Sequence, residues 1–151
     1  MTSEALRKPE FCNCLALRQA ARHVTQFYDQ FLAPSGLRTT QFSILAKLRG
    51  LGPLTINALA KELVMDRTTL GRNILPLQRD GLIEVAPGAK DRRRRELRLT
   101  EAGRKLHREG MAHWEEAQNR FNTVFGDERA AALRDLLREV SASDFAAGVQ
   151  P

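Results

Sequence analysis

The stretch from Lys61 to Arg108 constrains this chain more than any other. It holds 13 Lys/Arg against 7 Asp/Glu, while the other residues carry equal numbers of each sign. The whole formal net charge of +6 therefore sits in one segment. Within it, Asp66 precedes apolar residues at Leu70, Ile74 and Leu77, the spacing of one buried helix face behind a carboxylate cap. Gly81 stops that helix. Leu82-Ile83-Glu84-Val85 and Glu96-Leu97-Arg98-Leu99 read as two strands, with Pro87-Gly88-Ala89-Lys90 as turn chemistry between them. The tip of the hairpin is Asp91-Arg92-Arg93-Arg94-Arg95. A capped helix followed by a basic hairpin suits a DNA duplex: the helix enters the major groove, and the hairpin reaches the backbone or minor groove.

The flanking sequence is helical. Residues 1–10 are polar and read as a frayed end, without the apolar run of a secretion signal. From Phe11 to about Ala33, Cys14, Leu17, Ala21, Val24, Tyr28 and Phe31 form one seam at alternating spacings of three and four. Pro34-Ser35-Gly36 breaks it. Thr39 is expected to cap a second helix with Phe42, Leu45 and Leu48 inside, ended by Gly50-Leu51-Gly52-Pro53. Thr55 caps a third, through about Leu63, with Ile56, Leu59, Ala60 and Leu63 facing in. Pro76 predicts a kink or an early end in the fourth helix. Thr100 caps a long fifth helix whose apolar positions are Leu106, His113 or Trp114, Ala117, Phe121 and Val124. Gly126-Asp127 turns the chain into a sixth, lined by Leu133, Leu136, Leu137 and Val140, and the tail from Ser143 is weakly patterned.

The fold expected is mainly α with a small two- or three-stranded wing. A winged helix-turn-helix over residues 37–100 is flanked by a dimerisation helix at 11–33 and dimerisation helices at 101–147. The outer helices carry more apolar seam than a lobe this small can cover, so a second copy is expected to cover it. Two recognition helices so paired match a palindromic site.

Length and composition exclude several classes. The 151 residues fit one domain, and no apolar run approaches the roughly 18 residues that a membrane span requires. Cys12 and Cys14, the only cysteines, are no disulfide framework, and a reducing cytoplasm is the natural setting. No nucleophile elbow or phosphate loop is present, and the glycines read as breaks between elements, so neither an enzyme nor a cofactor is expected. No metal site is expected either: His107 and His113 diverge on a helix, and His113 with Glu109 supplies only two ligands.

The candidate DNA contacts are Arg67, Thr68, Thr69, Arg72 and Asn73 on the recognition helix, and Asp91, Arg92, Arg93, Arg94 and Arg95 on the hairpin. Thr68 and Arg72 share a face, and Arg72 is long enough for a bidentate bond to guanine. Consecutive arginines repel one another on a bare surface, and a phosphate backbone relieves that repulsion. Asp91 is expected to pair with one arginine and leave another to enter a narrow minor groove. Cys14, on the seam of the first helix, reads either as a small buried hydrophobe or as a redox centre. Cys12, two residues away, points to the other side of a helix, so an intrachain disulfide is not expected. Arg18, Arg22 and His23, with Tyr28, are the candidate lining of a ligand crevice between the dimer helices and the DNA-binding lobe.

One series of motifs spans nearly the whole chain: Leu59-Ala60, Asp66-Arg67-Thr68-Thr69-Leu70, Gly81-Leu82-Ile83, Asp91-Arg92-Arg93 and Leu99-Thr100-Glu101-Ala102-Gly103. In that order and spacing it resembles the MarR family of bacterial transcriptional regulators. The resemblance implies a homodimer with paired terminal helices. It also implies operator DNA read by Thr68, Thr69 and Arg72, and a wing anchored by Asp91 and Arg93. It further implies repression released by a small molecule or an oxidant, with aromatic carboxylates as a common ligand class. Cys14-Leu15-Ala16-Leu17, continuing to Arg22 and Tyr28, is similar to the organic-hydroperoxide-sensing branch, in which the cysteine at the place of Cys14 is oxidised. That branch has further tyrosines where this chain has Arg18 and Thr39. Three readings stand: a ligand-released repressor, a redox switch through Cys14 on the same fold, and a winged helix whose arginines meet an acidic protein.

Overall fold

The computed structural model describes residues 8–148. Most of the frayed stretch expected over residues 1–10 lies outside them, and Pro9–Phe11 form a single 3-10 turn. Helix α1 spans Asn13–Leu32 and buries only Tyr28 and Leu32, near its C-terminal end. Cys12 is not part of that helix. It is the N-cap, in extended conformation, and its Sγ accepts the Leu15 backbone N–H at 3.4 Å. The expectation that both cysteines project from one helix is therefore corrected. In the single chain both thiols are exposed.

Helix α2 spans Thr39–Leu51, and Thr39 is its first residue rather than its cap. The reason is a competing partner: Asp29 Oδ1 accepts both the backbone N–H and the hydroxyl of Thr39, each at 2.7 Å. That pair ties α1 to α2. Arg38 takes the cap position, and its N–H donates to Gln41 Oε1 at 3.0 Å.

A short strand β1 (Leu54–Thr55) leads into α3 (Ile56–Glu62), capped as expected by Thr55 Oγ1, which accepts from Ala58 N–H. The turn to the next helix is tight. Val64 sits at φ 52, a left-handed conformation unfavourable for a β-branched residue, and Met65 N–H donates to the Ala60 carbonyl at 2.9 Å. Helix α4 spans Arg67–Arg79 behind its Asp66 cap and buries Leu70, Ile74 and Leu77. Pro76 does not end it early: the helix runs on to Arg79. The missing N–H deprives only the Arg72 carbonyl, on an exposed residue where water can replace the donor. Gly81, at φ 71, then turns the chain, and Leu82 N–H closes on the Leu77 carbonyl.

Strands β2 (Ile83–Pro87) and β3 (Arg95–Leu99) form the wing with β1, in the antiparallel order β1-β3-β2. Ile83 pairs with Leu99, Val85 with Leu97, and Leu54 with Leu97 from the other side. One core joins Phe42, Leu45 and Leu48 of α2, Leu59 of α3, Leu70, Ile74 and Leu77 of α4, and Ile83, Leu97 and Leu99 of the wing.

Helix α5 spans Glu101–Phe125, and α6 spans Asp127–Ala142. The inner face of α5 keeps Ala117 of its apolar pattern, with Leu106 and Trp114 partly buried against the core, but adds Gly103, His107 and Gly110, while Val124 is 72% exposed. Glycines are thus not confined to breaks. A Cβ at Gly103 would stand 2.0 Å from the Leu82 carbonyl oxygen, and one at Gly110 would stand 3.1 Å from the Phe42 ring. These two positions let α5 lie close against the wing base and α2. His107 stacks on Phe42, with ring centroids 5.2 Å apart and planes 11° from parallel. In contrast, Leu15 and Leu17 of α1 and Leu136, Leu137 and Val140 of α6 are exposed in the single chain. No helix among the described residues is long and apolar enough to cross a membrane.

Candidate nucleic-acid interface

The start of α4 is organised by Asp66. Its Oδ1 accepts the Thr69 backbone N–H at 2.8 Å, and its Oδ2 accepts the Thr69 hydroxyl. These bonds, the hydroxyl's foremost, hold the Asp66 carboxyl below its usual range. A fixed anion at this end also suits the positive pole of the helix. Arg67, Thr68, Thr69 and Arg72 are all exposed, and Asn73 is half-buried with its Nδ2 donating to the Thr69 carbonyl at 2.9 Å. Thr68 and Arg72 lie on the face opposite Leu70, Ile74 and Leu77. Leu75 belongs to that outward face too, at 64% exposure. Sequence reasoning did not single it out, although its exclusion from the buried spacing was the available signal.

The wing tip is a structured loop. Asp91 Oδ1 accepts the Arg93 backbone N–H at 3.0 Å, Arg94 N–H donates to the Asp91 carbonyl, and Gly88 N–H donates to the Arg94 carbonyl. Asp91 thus does pair with an arginine side chain, that of Arg94, across a long 3.9 Å contact. Its link to Arg93 runs through the backbone. Gly88 is required here, because a Cβ would lie 2.8 Å from the Asp91 carbonyl oxygen. Among the described residues, Arg67, Arg72, Arg92, Arg93 and Arg95 form no ion pair. Their charge is available to a polyanion.

The base of the wing is fastened to α5 by Thr100. Its hydroxyl donates to the Gly81 carbonyl at 2.6 Å and accepts the Gly103 N–H, and its own N–H donates to the Leu82 carbonyl. One residue caps α5 and anchors the hairpin that follows α4.

The candidate ligand residues are less gathered. Tyr28 is buried and donates to Gln118 Oε1 at 2.7 Å, joining α1 to α5, and burial raises its pKa above the usual 10.0. Arg18, Arg22 and His23 are exposed along the half of α1 that the single chain leaves uncovered. A groove of about 600 Å³ opens elsewhere, between the end of α2 (Arg49), the wing (Glu84, Arg98) and the start of α5 (Glu101, Arg104). Among the described residues no group of three His, Cys, Asp or Glu is placed to hold a metal ion.

The MarR family profile matches residues 37–94, the span of α2 to the wing tip. The M. tuberculosis transcriptional regulator MosR, solved in complex with DNA, is 35% identical over 87% of this chain and 99% of that one, with a TM-score of 0.70. The BpsR regulator of Bordetella bronchiseptica, whose DNA binding is regulated by 6-hydroxynicotinic acid, is 26% identical over 91% of this chain and 98% of that one, with a TM-score of 0.80. The HTH-type transcriptional regulator FarR of Neisseria gonorrhoeae is 28% identical over 84% of this chain and 87% of that protein. These relatives are transcription regulators rather than enzymes. Sequence, fold and the arrangement of α4 and the wing together place this chain in the MarR family of winged-helix, DNA-binding transcriptional regulators.

Proposed function

We propose that two copies of this chain form a repressor that straddles a palindromic operator and leaves it when a small anionic ligand binds. In this reading Arg67, Thr68, Thr69, Arg72 and Asn73 enter the major groove. Asp91 shapes the tip from which Arg92, Arg93, Arg94 and Arg95 reach phosphates and the minor groove. The observation that carries it is the grouping of five exposed arginines without an ion pair among the described residues, Arg67 and Arg72 on the first turns of α4 and Arg92, Arg93 and Arg95 at the wing tip, in the segment that holds the net charge. Apolar side chains left exposed on α1 and α6 support the pairing of copies, since a partner would remove them from water. Arg18 and Arg22, with His23 on the same exposed stretch of α1, supply polar and cationic partners for an anion at that junction. Titrating DNA binding with salt tests the reading. Affinity should fall steeply, by about 10³-fold or more between 50 and 200 mM if roughly six phosphates are neutralised. A flat response would favour an acidic protein partner instead.

A second reading has its own support. The exposed Cys12 and Cys14 stand at the very start of α1, and Cys12 caps it, so oxidation there would disturb the helix proposed to pair the two copies. Peroxide treatment of the Cys14→Ser protein decides this. Release from DNA equal to the parent's would exclude Cys14 as the sensor.

A further inference from the structure

We infer that the hydrogen-bond polarity of Thr69 is fixed before DNA arrives, and that this hydroxyl selects a base with an exocyclic amine, cytosine or adenine, in the major groove. The inference rests on the DNA-reading role proposed for α4 and adds what that helix reads. Asp66 Oδ2 takes the Thr69 hydroxyl proton while Oδ1 takes the Thr69 backbone N–H, so two bonds set the side chain. An ionised carboxylate can only accept, so the shared proton belongs to Thr69 and is directed at Asp66 rather than outward. What the exposed Thr69 Oγ1 presents outward is lone pairs alone. Asn73, one turn on, commits an amide hydrogen to the Thr69 carbonyl at 2.9 Å, and its Oδ1 has no protein partner among the described residues. One edge of α4 is thus biased toward acceptors, whereas Arg67 and Arg72 supply only donors. Phosphate oxygens, thymine O4, and guanine O6 and N7 are themselves acceptors and would meet Thr69 lone pair to lone pair. The donors exposed in the major groove are cytosine N4 and adenine N6.

Selection of randomised operator half-sites tests this, using the full chain as parent, Asp66→Asn and Thr69→Val. Asparagine is as good an N-cap as aspartate, yet its amide can donate to Thr69 Oγ1 and release the hydroxyl proton toward DNA. The parent should enrich cytosine or adenine at one position by about two- to tenfold, the worth of one hydrogen bond. That preference should shift toward thymine or guanine with Asp66→Asn and vanish with Thr69→Val, while guanine under Arg72 stays enriched in all three. The same base profile in all three proteins would overturn the inference and leave the DNA-reading role intact. A thymine preference shared by the parent and Thr69→Val would also overturn it, by assigning the contact to a methyl group. No enrichment at any position in the parent would overturn both the inference and the reading beneath it.

Discussion

Arg72 and Arg93 carry the same guanidinium but have different work in this account, and substitution should separate them. Arg72→Ala should lose about 1–3 kcal/mol on the best site and relax preference at one base position, because a bidentate base contact is removed. Arg93→Ala should weaken binding evenly across sequences and reduce the salt slope by about one unit, because a phosphate contact is removed. Binding-site selection with each variant distinguishes the two patterns. His107 offers a test unconnected with DNA. Burial first, then the nearby Arg49 and Arg108, lower its pKa below the ordinary 6.5. The unfolded chain therefore takes up the proton more readily than the folded one. The stability this neutral histidine contributes is present above pH 6.5 and lost as pH falls through its lower folded value. His107→Phe, which keeps a ring against Phe42, should flatten that part of the melting-temperature profile. An unchanged slope below pH 6.5 would assign the loss to other groups.

Among the elements, glycine substitutions should have opposite signs in two helices. Gly103→Ala drives a methyl group into the Leu82 carbonyl where α5 meets the wing, and should destabilise by about 1–3 kcal/mol or more. Gly71→Ala, in the interior of α4 with open space around it, should stabilise by roughly 0.5–1 kcal/mol. Denaturant unfolding reads both. The same contrast explains what the sequence disclosed. Asp66, Thr55 and Thr100 act within three residues of themselves, so the starts of α4, α3 and α5 were legible from local spacing. The hairpin of β2 and β3 was legible too, because alternation and turn residues are local, and its ends moved by only one or two residues; the two-residue β1, which pairs with distant β3, was not read as a strand. What was hidden depends on distant partners. Thr39 is drawn off its cap by Asp29, and beside the expected Leu106, Trp114 and Ala117, α5 packs through glycines and a histidine that no apolar pattern registers. Cys12 as a cap was hidden for a further reason: thiols are uncommon in that position. The candidate DNA-contact residues were named from their positions on α4 and the hairpin. The commitment of the Thr69 proton to Asp66 required coordinates.

For the whole molecule, the proposed pairing of copies would govern affinity, since one reading head alone loses the gain of a second linked contact. Leu17 and Leu136 are 40% and 59% exposed in the single chain. Replacing both by glutamate should convert the solution mass from two copies to one and reduce operator affinity at least about 100-fold, while leaving the melting temperature of the DNA-binding lobe little changed. Sedimentation together with binding would register it; a double variant that still pairs would place the interface elsewhere. The most direct test of the central claim is hydroxyl-radical footprinting of the full chain on the DNA upstream of its own gene. The account predicts protection of two symmetry-related half-sites on one face of the duplex, centred about 10 base pairs or a multiple of that apart. Protection of a single half-site, or none that rises above non-specific coverage, would contradict it.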